Sequence, residues 1–326
     1  MRVLVTGAGG FIGSHLTEAL AREGCEVRAL VRYTSRGTAG WLDHLDSRVA
    51  KSVEIVRGDI RDAQTVRHAS AGCTRIYHLA ALIGIPYSYE SPEAYIATNV
   101  VGTANVLEAS RGLGDRLERL VHTSTSEAYG TALAVPIDEH HPLQAQSPYS
   151  ATKIAADKLA ESYHRSFGLP VVTVRPFNTY GPRQSTRAVV PAIVTQLLSD
   201  GPVKLGNTST TRDLTYVTDT VNGFVLAGST PSAIGRVVNL GTGREVSVAQ
   251  LVTMVGRILV KQPDIETDAA RVRPASSEVE RLVADATVAR ELLGWTPRVS
   301  LEEGLQLTID WIREHHDHFH VAGYHV

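Results

Sequence analysis

Cysteine is nearly missing from this chain: 326 residues contain two, Cys25 and Cys73. Two cysteines exclude a multi-bridge disulfide scaffold and a cysteine-built metal centre. They read as small core residues in a reducing compartment, and no metal site is expected. An apolar run long enough to cross a bilayer is also missing, so no membrane segment is expected. Neither sign of charge is in excess: 32 Lys and Arg against 34 Asp and Glu leave −2. That balance gives no reason to expect nucleic acid or an anionic membrane surface as partner. Internal repeats and low-complexity stretches are lacking. No signal peptide is expected, because Val3 already belongs to a strand; the cytoplasm is the expected compartment.

What the chain does have is glycine in one particular place. Arg2 to Leu16 read RVLVTGAGGFIGSHL. Val3, Leu4 and Val5 form a short apolar run of the kind buried on both faces of a parallel sheet. Gly7, Gly10 and Gly13 follow at regular spacing, and Ile12, Leu16 and Leu20 then recur with helical period. Strand, glycine loop and helix start are the parts of a dinucleotide site. The first glycine permits a tight turn, the second lets pyrophosphate approach, and the third lets helix and strand pack closely. The helix start at Phe11 and Ile12 offers unpaired N–H groups and the positive dipole end to phosphate.

The rest of the first half alternates strands with helices. Strands are expected at Glu26–Val31, Val53–Val56, Arg75–Leu79, Leu120–Thr123 and Val171–Val174, with a helix over Ala94–Ser110. The pattern predicts an α/β fold, a Rossmann-type doubly wound parallel sheet with ligands outside the carboxyl ends of the strands. Residues 1–175 form this dinucleotide-binding domain. Residues 176–326, punctuated by proline and glycine, form most of a smaller, discontinuous C-terminal substrate-binding region. A strand near 236–241 returns from it to the main sheet. Helices are expected at Ser247–Leu259 and Leu301–His315. The histidines His315, His316, His318 and His320 read as a frayed, polar helix end without function.

Cofactor contacts follow from position. The second strand ends at Val31 with no acid to bind ribose hydroxyls, and Arg32, Ser35 and Arg36 come next. Two guanidinium groups and hydroxyls favour a 2′-phosphate, hence NADP over NAD. Asp59 is placed to meet the adenine amino group, with Ile60 on the ring. Leu79, Ala80 and Ala81 let the cofactor pass closely, and Thr123 ends the fifth strand beside it.

Two further stretches carry chemistry. Thr123 to Gly130 (TSTSEAYG) follows the fifth strand, and Tyr149-Ser-Ala-Thr-Lys153 opens a helix. Tyr149 and Lys153 lie on one helix face. The ammonium is expected to lower the Tyr149 pKa toward neutrality. Tyr149 then accepts a proton from a substrate hydroxyl as hydride leaves carbon for the cofactor, with Thr125 bonded to the same hydroxyl.

These motifs together resemble the extended short-chain dehydrogenase/reductases, in the nucleotide-sugar epimerase/dehydratase group. The resemblance runs from the glycine loop to Leu292-Leu293-Gly294-Trp295. More narrowly, Gly40–Leu45 (GWLDHL), His78–Tyr89 (HLAALIGIPYSY), Arg175–Gln184 (RPFNTYGPRQ), Arg212–Val217 (RDLTYV) and Arg273–Glu280 (RPASSEVE) are similar to LegB-type 4,6-dehydratases of N-acetylhexosamine nucleotides. The resemblance implies an enzyme that oxidises C4 of a nucleotide sugar with tightly bound, recycled NADP or NAD. It then removes the C5 proton, expels the C6 hydroxyl and returns hydride to C6. Glu127 is the implied C5 base. Ser126 stands where the glucose dehydratases carry Asp, so it positions the leaving group, and Glu127 also serves O6. Asn178, Arg212 and Arg273 are implied ligands of the diphosphate, and Glu278 of a ribose hydroxyl. Arg212 also suits the substrate carboxylate of decarboxylating relatives. The helices Ala94–Ser110 and Tyr149–Phe167 match the pair that builds a four-helix homodimer interface, though their apolar residues also suit an intrachain core. The alternatives are a C4 epimerase or a UDP-glucuronate decarboxylase, and more remotely a non-catalytic NADP sensor. Tyr149 and Lys153 argue against the sensor, Glu127 against the epimerase.

Overall fold

The computed structural model describes residues 1–199 and 201–319. Among these, thirteen strands follow in chain order. They are β1 (Arg2–Thr6), β2 (Glu26–Arg32), β3 (Val53–Gly58), β4 (Arg75–His78), β5 (Arg119–Thr123), β6 (Val171–Pro176), β7 (Asn178–Tyr180), β8 (Val203–Leu205), β9 (Thr211–Tyr216), β10 (Val237–Leu240), β11 (Glu245–Ser247), β12 (Ile265–Thr267) and β13 (Arg281–Leu282). Seven of them make one parallel sheet in the order β10-β6-β5-β4-β1-β2-β3. The chain reverses its direction of travel between β1 and β4. That switch point opens a crevice at the strand ends, where a doubly wound sheet binds its ligand. The fold class is therefore the expected one, and the strand expected near 236–241 does return, beside β6.

Apolar side chains of the central strands are buried on both faces. Val3, Val5, Val27 and Ala29 pack under the Phe11–Arg22 helix and the Val217–Ser229 helix. Leu4, Leu30, Ile76 and Leu120 pack on the opposite face, with the Ala63–Ser70 and Gly102–Arg111 helices. Beyond β6 the strands are short. β11, β9 and β13 pair with β7 alongside β9, and β12 pairs β8. The first of these small sheets carries Asn178 on β7 and Arg212 on β9.

The helix that carries Tyr149 is well defined at both ends. Ser147 caps it in a reciprocal pair with Ser150, Pro148 occupies its first turn, and Gly168 ends it at φ 67°. A side-chain cap satisfies orphan N–H groups, proline fits the first turn, and glycine tolerates the left-handed exit.

Two expectations are corrected. Ala94–Ser110 is not one regular helix: Ile96–Val101 winds as a π-helix between Pro92–Tyr95 and Gly102–Arg111. The looser turn goes with an inward Asn99, which pairs with both backbone groups of Leu82 (2.8 and 2.9 Å) and with Thr152 Oγ1 (3.0 Å). Burying a polar amide is favourable only with such partners. The histidine segment is not frayed through the described residues either. His315 stacks on Trp311 with centroids 4.3 Å apart, and His318 meets Trp41 and His44. Aromatic ring contacts hold this helix end against the Gly40–His44 turn. His320 lies outside the described residues.

Candidate active site

The glycine loop shows why side chains are excluded there. Gly7 has φ +70°, and a Cβ on it would lie 2.8 Å from Ala80 N. A Cβ on Gly13 would lie 2.2 Å from Gly7 O, so the helix start seats directly on the loop. Two more glycines join them. Gly9 and Gly40 cross so closely that either Cβ would collide with backbone, and Trp41 N donates to Gly9 O at 3.1 Å. The GWLDHL turn is thus a brace for the loop. Gly10 caps the Phe11–Arg22 helix without a side-chain bond, so first-turn N–H groups face the rim. This side-chain-free cradle and open helix terminus fit a dinucleotide pyrophosphate.

Around the second strand end, Arg32, Ser35 and Arg36 are all exposed, and Arg57 ties their loop through Gly37 O (3.0 Å). Asp59 is paired to its neighbour. Both its oxygens are engaged by Arg61, at 2.6 to 3.1 Å, and that hydrogen bonding holds its carboxyl below the usual range. Ile60 is buried, with its side chain against Gly102. Leu79, Ala80 and Ala81 line the switch point, half-buried, and Ala80 N donates to Thr6 Oγ1 (3.1 Å).

The Thr123–Gly130 stretch leaves β5 and turns at once. Thr125 caps a 3-10 turn over Ser126–Tyr129 by accepting from Glu127 N at 3.2 Å. Thr125 and Ser126 are buried, and Glu127 is half-buried. Tyr149 is buried beside them, hydrogen-bonded to Thr125 and within the field of Glu127. Lys153 Nζ donates to Thr123 O at 2.6 Å. The sequence motifs therefore converge at the carboxyl ends of β4 and β5.

The expected depression of the Tyr149 pKa does not occur within the protein. Burial pushes the phenol well above its ordinary value, outweighing the Thr125 hydrogen bond. Burial also brings Lys153 down to about 8, against the opposing charge of Asp157. Desolvation penalises both charged forms, so the phenol is held neutral and the ammonium gives up its proton more readily.

Across the crevice, Arg212 is buried, and burial lowers its pKa against the neighbouring charges of Glu127 and Glu278. Arg212 Nη2 and Arg273 Nη1 each lie 3.6 Å from Glu278 Oε1. Asn178 Oδ1, Thr123 Oγ1 and Arg273 Nη1 are buried without a hydrogen-bond partner. Unsatisfied polar atoms converging on one crevice fit a polar ligand. Among the described residues, no group of three or more His, Cys, Asp or Glu is placed to hold a metal.

Sequence reasoning passed over three contributors. Asn99 fixes Leu82. Arg183, at φ 69°, bonds Glu18 (2.7 Å) and Ser14 (3.3 Å), joining the YGPRQ turn to the cofactor helix. A non-glycine residue held at positive φ is a recognised mark of a functional site. Asp157 is the third. Its signal was available, since Tyr149, Lys153 and Asp157 recur at helical spacing.

With this geometry in place, the class is defined: the chain belongs to the extended short-chain dehydrogenase/reductase family of nucleotide-sugar dehydratases and epimerases. Residues 4–308 match the GDP-mannose 4,6 dehydratase family. The chain is 37% identical over 319 residues to a UDP-glucose 4-epimerase of Mycolicibacterium smegmatis, covering 96% of this chain and 99% of that protein. It is also 37% identical over 322 residues to a dTDP-glucose 4,6-dehydratase of Streptomyces antibioticus, covering 96% and 93%. Among solved structures, UDP-glucuronic acid 4-epimerase of Bacillus cereus, with NAD bound, superposes at TM-score 0.88 with 30% identity over 96% and 99% of the two chains. The NAD-bound dTDP-glucose 4,6-dehydratase of Streptomyces venezuelae superposes at 0.86 with 32% identity over 98% and 99%.

Proposed function

We propose that this protein is a nucleotide-sugar 4,6-dehydratase of the LegB type, acting on UDP- or GDP-N-acetylglucosamine. The observation that carries the reading is the place of Glu127. Its carboxylate follows Thr125 by two residues, shares the Tyr149 environment and faces buried Arg212. Turning over a 4-keto sugar at C4 needs no such base.

Bound nicotinamide dinucleotide supplies the acceptor, and later the donor, of the C4 hydride. The glycine loop and helix start would hold its pyrophosphate, and Lys153 its ribose. Tyr149 takes the O4 proton, with Thr125 orienting that oxygen. Positive charge in the oxidised ring and Lys153 favour the phenolate that burial otherwise disfavours. A ketone at C4 makes C5 acidic, and Glu127 removes its proton. Glu127 then returns a proton to O6, which Ser126 orients, and water leaves; C6 takes back the hydride lost from C4, and C5 takes a proton from solvent. Asn178, Arg212 and Arg273 hold the diphosphate, and Glu278 a ribose hydroxyl.

Three extensions belong to the same reading. NADP is favoured over NAD by Arg32, Ser35 and Arg36 and by the absence of an acid at Val31. The region beyond residue 176, apart from β10, binds the substrate. Exposed Ile96 and Val101 support a homodimer through the Ala94–Ser110 and Tyr149–Phe167 segments, in the cytoplasm.

The test incubates the protein with UDP-N-acetylglucosamine, GDP-N-acetylglucosamine and UDP-glucuronate in deuterated water, with products read by mass spectrometry. Loss of water with deuterium at C5 is expected. Loss of carbon dioxide, or an unchanged mass with inverted C4, refutes the dehydratase.

A further inference from the structure

Behind the Tyr149–Lys153 pair lies a buried ionic network that the mechanism above does not use. Tyr149, Lys153 and Asp157 are all buried, one turn apart on the Pro148–Phe167 helix. Asp157 is fixed from three sides. His122 Nε2 donates to Oδ1 at 3.0 Å. Ser124 Oγ donates to Oδ2 at 2.6 Å, and Arg175 Nη2 to the same oxygen at 2.8 Å. The His122 ring is neutral, since burial lowers its pKa and its Nδ1 is left without a partner.

Arg175 carries the network onward. Its Nε donates to Ser124 Oγ at 3.2 Å and its Nη1 to Tyr129 Oη at 2.9 Å. The guanidinium lies over the Tyr129 ring, 4.9 Å from the centroid. Tyr129 in turn donates to Asn239 Oδ1 on the edge strand, at 2.8 Å. Ser124 and Tyr129 bracket the 3-10 corner, with Thr125, Ser126 and Glu127 between them.

We propose that Asp157 is a positioning residue with two effects: it neutralises the buried charge that lets Lys153 stay an ammonium, and with Arg175 it clamps both ends of the corner bearing Thr125 and Glu127. The clamp effect rests on the catalytic reading of that corner; the charge effect does not. Other groups face Lys153 as well. They are His78 from β4 and His122 from β5. Arg175 from β6 acts on His122 and Asp157, while Tyr149 shares the helix face of Lys153 and has Tyr95 and Glu127 in its own field. His78 is also held neutral by burial. Arg175 is cationic and the two tyrosines are neutral phenols. Asp157 is the anion whose charge favours the Lys153 ammonium, while the Glu127 carboxylate acts on Tyr149 and Arg212. Burial opposes its charge, but the His122 bond and Arg175 outweigh it and keep the carboxyl below its ordinary range. Without that carboxylate, Arg175 and Lys153 would be two uncompensated cations in one buried region, and the lysine is the one that loses its proton.

The experiment compares wild type, Asp157→Asn and Asp157→Glu by NMR of the lysine side-chain amine, with the Lys153 signal assigned by its loss in Lys153→Met. In Asp157→Asn the Lys153 titration moves about one pH unit or more downward; in Asp157→Glu it moves back toward wild type. A folded Asp157→Asn with an unmoved Lys153 titration overturns the charge effect. Asp157→Asn leaves Arg175 unpaired, so should it not fold, the charge effect is read from Asp157→Asn/Arg175→Met, which leaves neither group unpaired, and the clamp from Ser124→Ala. An unmoved Lys153 titration in that double variant overturns the charge effect, since Asp157 is the charge that acts on Lys153. Ser124→Ala keeps both charges and releases one end of the corner. Substrate-driven dinucleotide reduction, which uses Thr125, and elimination, which uses Glu127, both fall about tenfold or more with KM little changed; a wild-type rate for either step overturns the clamp. The NMR arm needs no substrate, so its outcome is separate from failure of the dehydratase reading, which shows as no dehydrated product from wild type.

Discussion

Lys153 sets a pH dependence of stability whose sign and size follow from its burial. Its ordinary value of 10.5 falls to about 8 in the folded chain, through desolvation. Between those values the unfolded chain holds the proton and the folded chain does not. Stability therefore rises with pH across the interval, and below about 8 the full penalty of a buried ammonium applies. At about 1.4 kcal/mol per pH unit, the change between pH 7 and 10 amounts to about 2.5 kcal/mol. Lys153→Met removes the titrating group and keeps most of the packed chain. The assay is urea unfolding of wild type and Lys153→Met at pH 7, 8, 9 and 10, followed by circular dichroism. Groups common to both chains cancel in the difference. Wild type should gain about 2.5 kcal/mol relative to the variant from pH 7 to 10. Parallel pH curves would refute the reasoning, because they require a lysine with the same proton affinity folded and unfolded.

Four other outcomes follow from named contacts. Gly13→Ala puts a Cβ 2.2 Å from Gly7 O, so the loop and helix must part; copurified dinucleotide should be lost and stability should fall by about 1–3 kcal/mol, and full dinucleotide at wild-type Tm would contradict this. Glu127→Gln should cut elimination by about 10²–10⁴ while substrate still reduces the dinucleotide; normal dehydration would remove Glu127 as the base. Dinucleotide released by denaturing the protein should be NADP, and NAD alone would defeat the reading of Val31, Arg32 and Arg36. Trp41→Ala deletes ring contacts to Trp311 and His318 and should cost about 2 kcal/mol with faster dinucleotide release; an unchanged Tm and release rate would show that the brace is idle.

Local signals carried much of the architecture. A short β-branched run, glycines at close-approach positions and a following 3.6-residue period specify a strand, loop and helix without reference to anything distant. Seven such units leave few ways to assemble, since parallel strands need crossovers of one hand. The returning strand at Val237–Leu240 was legible for the same reason: it is apolar, short and bounded by turns. The π turn at Ile96–Val101 was not, because Asn99 is drawn inward by Leu82 and Thr152, which lie far away in sequence. The histidine segment was misread in the same way, since its partner Trp41 lies some 270 residues earlier.

The candidate site divides along that line. Which side chains bear chemistry was written in motifs: Tyr149 and Lys153 on one helix face, Thr125 to Glu127 after a strand, Arg212 and Arg273 in polar stretches. Their electrostatic state was not, because a pKa depends on solvent excluded by residues from every part of the chain. Pairing of Tyr149 with Lys153 suggested an acidified phenol from charge alone, and burial reversed it. The structure likewise joined Asp157, His122, Ser124 and Arg175, from the ends of two strands and a helix, into one network. Sequence by itself determined the elements and the reactive groups, since helix period, turn chemistry and side-chain identity are local. Tertiary structure alone decided which charges survive burial and what holds them in place, since desolvation and Coulomb forces act through space and not along the chain.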